Sequence, residues 1–369
     1  MKPANKRAYR CATVILSALL VIASLSVTGC AFRSLIPNKS NGDENNTVIQ
    51  PGNTEDGNAP ENNGEGGGNK PVMPSYYDPL TGLASSADLS MIRPVAVSLA
   101  PNAPHFGFSS AGVVIEAPIE DGSTRLTLVT TAYRAMPQIG VIGSTRPYLL
   151  SLSSDFGAVN VCASANDIRP GISYANFPTM NFETDGATTV FYKNGETGEL
   201  YTSGTRLVGA LENFEKTGVT LPYTFQPYGT SIAPSGKNAS GVIIPFSKNI
   251  VTQFLYDAEK GVYSRSQNAI PHTDAETGET VAFTNLLLLT CESSIHNKVT
   301  GTEFDMDTQS GGEGYYISCG RAMEIRWSRD ADGKLLLQTK EGDALTINRG
   351  KTYIGLLDLV NSGSVLIVE

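Results

Sequence analysis

The sequence predicts an α+β protein of two domains, a mixed α/β half followed by an antiparallel β-rich half, behind a signal peptide and a disordered tether. Three observations predict it. Residues 75–225 mix helical periodicity with short β-branched runs, residues 240–369 alternate almost throughout, and residues 30–74 hold almost nothing that a core could bury.

The first thirty residues read as an export signal. Lys2, Lys6, Arg7 and Arg10 form a basic start, and Val14 to Ala23 an apolar run shorter than the roughly 20 residues a spanning helix needs. Small residues then lead to Val27-Thr28-Gly29-Cys30, an ending that resembles the lipobox of bacterial lipoproteins. The resemblance implies a signal peptide over 1–29, lipidation of Cys30, and a mature protein anchored to the outer face of the bacterial cytoplasmic membrane. Residues 30–74 are the lipidated cysteine and a linker dominated by Asn, Gly, Asp, Glu and Pro, with a mean reach of roughly 35 to 40 Å.

The chain has 369 residues, a net charge of −9, 40% hydrophobic residues and 17% charged ones, so its body is globular. About 340 residues after processing are more than one core usually organises, which points to two domains. The acidic balance and the lack of a Lys/Arg cluster beyond the signal argue against a nucleic-acid partner. Cysteines 162, 291 and 319 remain in the body, and Cys291 with Cys319 is a possible disulfide in an oxidising exterior. No C-x-x-C spacing exists, so no metal site is expected, and no cofactor is called for.

Order is expected from Tyr76. Asp78-Pro79-Leu80-Thr81-Gly82 reads as a turn, and strands follow over 93–99, 112–115 and 124–132. Ser144 or Thr145 should cap a helix with Pro147 in its first turn, Tyr148, Leu149, Leu152 and Phe156 on one face, and Gly157 as its stop. Strands over 158–162 and 188–192 and a helix over 205–216, capped by Ser203, complete the first half. After a Pro-, Gly- and Ser-rich stretch between 222 and 240, strands are expected over 242–246, 251–257, 262–266, 283–290, 314–317, 323–328, 334–339, 345–348 and 352–357.

These runs carry a family likeness. Asp78-Pro-Leu-Thr-Gly-Leu83, Arg93-Pro-Val-Ala-Val97, Glu120-x-Gly-x-Thr-Arg125, Ser144-x-Arg-Pro-Tyr148 and Leu200-Tyr-Thr-Ser203 resemble the N-terminal region of the YerB-like lipoprotein family (DUF3048). Tyr263-Ser-Arg265, Pro271-His-Thr-Asp274, Thr277-Gly-Glu279, Gly312-Glu-Gly-Tyr315, Ile325-Arg-Trp327 and Asn348-x-Gly-Lys-Thr352 resemble its C-terminal domain. The likeness spans residues 76–358 and implies an exported, lipid-anchored protein. Gly143, Cys162-Ala-Ser-Ala165 and Gly198-Glu199 depart from the family pattern of an arginine, a histidine–glycine loop and a Pro-His-Asn run. Those departures remove groups suited to proton transfer or anion binding.

Glu116, Glu120, Arg125 and Arg146 are the candidate ligand-binding residues. Two guanidinium forks could bind a carboxylate or a sugar-linked anion, while the alternative is an ion-paired turn. The same two glutamates are the candidate carboxylates for a wall-polymer hydrolase, should they flank a sugar site. His272 and Asp274 read as turn residues. Asp305, Asp307 and Glu313 give a weak calcium hint without the required loop. Gly350-Lys351-Thr352 is the start of a strand and not a phosphate loop, His105 belongs to a packing loop, and Trp327 is core or a sugar platform. The expected function is a non-catalytic cell-envelope accessory or ligand-binding protein. Its partners would be the membrane through the lipid anchor, and cell-wall polymer or another envelope protein. The alternatives are the hydrolase and a protein-interaction partner of a membrane enzyme.

Overall fold

The computed structural model describes residues 73–164, 177–185, 189–298 and 301–369; Cys30, the signal segment and the tether lie outside them. In the first half, the Val- and Thr-rich runs form β1 (Val95–Leu99), β2 (Val113–Pro118) and β3 (Thr124–Thr130). Gly122, at φ +79°, turns β2 into β3, and the Asp121 carboxylate accepts the Ser123 N–H there at 2.8 Å. Helix α1 (Pro147–Ser154) begins with its proline at the first position, and Gly157, at φ +73°, follows its end. Its N-cap is Arg146 and not Ser144 or Thr145. The Ser144 hydroxyl is committed to arginines instead.

β4 (Val159–Cys162), β5 (Thr179–Asn181) and α2 (Gly204–Leu211) follow. Ser203 is the N-cap residue of α2 as expected, although no side-chain cap bond forms, and the helix ends at Leu211. Of the strand expected over 188–192, Tyr192–Lys193 is seen.

The second half contains β6 (Gly241–Pro245), β7 (Val251–Asp257), β8 (Val262–Gln267), β9 (Asn285–Cys291), β10 (Gly312–Ser318), β11 (Arg321–Arg329), β12 (Leu335–Thr339), β13 (Thr352–Asp358) and β14 (Leu366–Val368). β14 and a hairpin of Ser293–Lys298 with Gly301–Met306 were not expected from the sequence.

An eleven-stranded sheet runs through both halves in the order β11-β10-β9-β13-β2-β3-β1-β4-β5, with β12 and the short strand Lys237–Asn238 also paired to β11. The second half is therefore not purely antiparallel. β13 runs parallel to β9, with Asn285 opposite Thr352, and parallel to β2, with Val113 opposite Thr352. The uninterrupted burial of β13 and of Leu286 to Leu289 fits strands covered on both faces, as parallel strands usually are. A second sheet of six strands, including β8-β7-β6-β14, packs over the first.

Strand alternation builds two cores on the two faces of the large sheet. Val114, Leu126, Leu128, Leu286, Leu288 and Tyr353 face the second sheet, where they meet Val242, Ile244, Phe254 and Tyr263. Val113, Ile115, Val129, Leu287, Leu289 and Ile354 face α1, where they meet Tyr148, Leu149 and Leu152. Each core takes residues from before and after the 226–239 stretch, so the two halves interlock through β2 and β13.

The Cys291–Cys319 disulfide is overturned, because Cys291 and Cys319 are not joined to each other. Strand register gives the reason. Ser318, beside Cys319, pairs with Asn285, the first residue of β9, whereas Cys291 is its last. At ~3.3 Å per residue the two cysteines sit about 20 Å apart, against the roughly 4.4–6.8 Å that a disulfide spans.

Candidate functional site

Alternation along β2 and β3 separates the four candidate residues. Glu116 shares its face with Val114, toward the second sheet, whereas Arg125 pairs with Ala117 on the α1 face. The sheet itself stands between them. Glu120, Arg125 and Arg146 come together; Glu116 belongs to another network.

Glu116 is 0% exposed and is the acceptor of a dense cluster. Its carboxylate accepts from Arg265 Nη2 at 2.9 Å, from the Thr124 hydroxyl at 2.7 Å, from Thr252 at 3.0 Å and from Tyr353 at 2.8 Å. Arg265 is itself 2% exposed. This ion pair ties the large sheet to the second one, and burial first, then the Glu116 charge, raises the Tyr353 phenol well above its ordinary value. Enclosed in this way, Glu116 does not border a polymer cleft together with Glu120.

Beyond Arg265 the network continues through two histidines that the sequence offered no partners for. Arg265 Nη1 lies 2.8 Å from His272 Nδ1, His272 Nε2 lies 2.9 Å from His105 Nδ1, and His105 Nε2 lies 3.0 Å from the Ala100 carbonyl. A guanidinium has no acceptor and a carbonyl no proton, so both ends dictate the tautomers. Each ring takes a hydrogen bond at Nδ1 and donates from Nε2, which requires both imidazoles to be neutral. Burial, then the Arg265 charge, pushes His272 down to about 2, and burial lowers His105 as well. Asp274 does hold a turn: it accepts N–H bonds from Glu276, Thr277 and, across the fold, Ser109.

On the α1 face, Arg146 grips the Glu120 carboxylate with two nitrogens, one bond being 2.9 Å from Nε to Oε2. Arg125, 6% exposed, donates to Ser144 Oγ at 2.9 Å and reaches the Leu99 carbonyl at 3.5 Å, while its Nε has no partner among the described residues. Arg146 Nη1 donates to the same Ser144 Oγ at 3.2 Å. Burial, then the neighbouring Arg146 charge, lowers Arg125 to about 10. Ser164 Oγ, accepting the Thr145 N–H at 2.7 Å, holds this segment in place. A cavity of ≈ 380 Å³ opens at the adjoining first turn of α1, lined by Pro147, Tyr148 and Ser151, by Glu292, Ser293 and Ser294 and by residues 305–309.

The remaining candidates are structural. Trp327, 2% exposed, donates from Nε1 to the Thr290 carbonyl at 2.9 Å and lies in the core. Asp307 accepts the Gln309 and Ser310 N–H groups in a turn, and no metal-holding cluster exists among the described residues. Lys351 precedes β13 and donates to the Ser109 carbonyl, so its motif does start a strand.

Two family models, for the N-terminal and C-terminal domains of "Protein of unknown function (DUF3048)", match residues 80–219 and 242–354. The chain belongs to the DUF3048 family. It is 28% identical over 302 residues to the "Putative lipoprotein YerB" of Bacillus subtilis (strain 168), covering 78% of this chain and 88% of that protein. It is also similar to the crystal structure of the Bacillus subtilis YerB protein, with a TM-score of 0.66 and 26% identity, over 79% of this chain and 99% of that one. Within this DUF3048 chain, the motifs now have physical roles. Asp78 closes its turn by accepting the Leu80 N–H at 2.9 Å, and a Cβ at Gly314 would stand 2.2 Å from the Leu288 carbonyl. At Gly143 a Cβ would meet the Ala100 backbone at 2.8 Å, so the close approach of the two backbones leaves no room for a side chain there.

Arg265 and Ser144 are the residues that sequence reasoning passed over. A signal existed for both, since each lies in a quoted motif, and alternation with buried Tyr263 puts Arg265 on the inner face of β8.

Proposed function

We propose that this chain is a lipid-anchored extracytoplasmic protein, held through Cys30 on the outer face of the bacterial cytoplasmic membrane, and that it acts there as a non-catalytic cell-envelope accessory or ligand-binding protein. The lipobox-like segment and the name of its Bacillus subtilis relative support the anchor. The observation that carries the binding role is the meeting of two guanidinium groups on Ser144, one of them buried without a contacting carboxylate among the described residues. Such a charge is costly unless an anion answers it. The enclosure of Glu116 with Arg265 argues against the hydrolase.

Fractionation of cells producing native and Cys30→Ser protein tests the anchor; the variant should leave the membrane fraction, and unchanged partition would remove it. Retention on purified wall material tests the binding role, with Arg125→Ala and Arg146→Ala each expected to weaken it. If both variants are retained as well as the native chain, those arginines serve no wall ligand. New peptidoglycan fragments that disappear with Glu120→Gln would restore the hydrolase, and capture of a membrane enzyme without glycan binding would favour the interaction partner.

A further inference from the structure

We propose that Ser144 is the centre of an oxyanion site, flanked by Arg125 and Arg146, in which the Glu120 carboxylate is an internal stand-in that a ligand displaces. This rests on the ligand-binding reading above and names its chemistry. A serine hydroxyl has two lone pairs and one O–H. Both lone pairs of Ser144 Oγ face guanidinium donors, Arg125 Nη2 at 2.9 Å and Arg146 Nη1 at 3.2 Å. Its proton is therefore left for an acceptor, and among the described residues Ser144 has none.

Arg125 makes the need sharper. It is 94% buried by its 6% exposure, it touches one carbonyl and one hydroxyl, and its Nε is unpartnered. Its positive charge thus lies in a poorly solvated place with no anion in contact among the described residues, a situation that a bound oxyanion relieves. Arg146 already displays the preferred geometry, since it holds the Glu120 carboxylate bidentately. That pair is 15% and 29% exposed, so a ligand can reach it and exchange one bidentate carboxylate-type partner of Arg146 for another.

Charge also limits the ligand. Asp121 lies within electrostatic reach of both arginines, so a dianion would be opposed and a singly charged oxyanion favoured. The adjoining cavity of ≈ 380 Å³ is lined by Ser151, Ser293, Thr308 and Gln309 together with the carboxylates of Glu292, Asp305 and Asp307, so it suits the hydroxyls of a neutral ligand body and repels further negative charge beyond the oxyanion itself. A carboxylated sugar and a phosphodiester of a wall polyol share this chemistry.

The test uses the full chain in detergent, titrated calorimetrically with N-acetylmuramic acid, with glycerophosphoglycerol and with neutral N-acetylglucosamine. The expected result is binding of at least one anion, weakening with salt, and none of the neutral sugar; which anion binds identifies the source. Glu120→Gln, which removes the stand-in without opening the core, should tighten binding by about fivefold or more. Ser144→Ala should weaken it about tenfold, the effect of one hydrogen bond to a charged group. Absence of anion binding in both the native and Glu120→Gln proteins would overturn the site, as would a Ser144→Ala protein that binds like the native one. Retention on wall material without oxyanion binding would leave the accessory reading and remove this one; loss of both would remove both.

Discussion

The neutral histidine pair makes folding stability depend on pH in a window where few other groups titrate. His272 has a folded pKa near 2 against an ordinary 6.5, so below about 6.5 the unfolded chain takes up a proton that the folded chain refuses. The stability held by this group is complete above 6.5, and it drains as the pH falls toward 2. Between pH 7.5 and 5 the loss is RT ln(1 + 10^1.5), about 2 kcal/mol at most for a partly exposed ring. His105 is shifted the same way and adds to the loss. Carboxylates such as Asp274, Asp121 and Asp307 are lowered from 3.8, so their contribution is lost only below about pH 4 and does not confuse the window. Urea unfolding at a series of pH values measures the slope directly. His272→Gln supplies an amide oxygen for Arg265 and an N–H for His105 without titrating, so the loss from pH 7.5 to 5 should shrink by up to about 2 kcal/mol. An unchanged slope in that variant would refute the neutral relay.

Other outcomes follow from the same geometry. Glu116→Gln leaves Arg265 buried and unpaired, and should cost about 3–5 kcal/mol in urea unfolding; a loss below 1 kcal/mol would mean that the pair is solvated. Gly314→Ala drives a Cβ to 2.2 Å from the Leu288 carbonyl, which must part β9 from β10; a soluble yield and hydrogen-exchange protection equal to native would contradict that packing. In thiol labelling of the native fold, half-exposed Cys319 should react before buried Cys162 and Cys291, and mass mapping should find no Cys291–Cys319 peptide. Detection of that cross-link would contradict the register of β9 and β10.

Local periodicity was enough to place most elements. β7 was expected over 251–257 and occupies Val251–Asp257, and α1 carries its proline at the first turn as the pattern demanded, because these features depend on near neighbours in the chain. The proposal of a lipid anchor at Cys30 likewise rests on local composition, and that residue lies outside the described structure. Partners far apart in sequence were another matter. Whether β13 runs parallel to β2, whether Cys291 meets Cys319, and whether Glu116 joins Arg125 or Arg265 all depend on which strands lie side by side. Alternation assigns a face to each residue but leaves the neighbouring strand and its direction open, since hydrogen-bonded ladders accept either. The Glu116–Arg265 pair, 149 positions apart, and the His105–His272 pair, 167 apart, exist only because two sheets pack face to face. Burial then did what residue type could not, enclosing one carboxylate as a structural anion and leaving the Glu120 carboxylate exposed on Arg146.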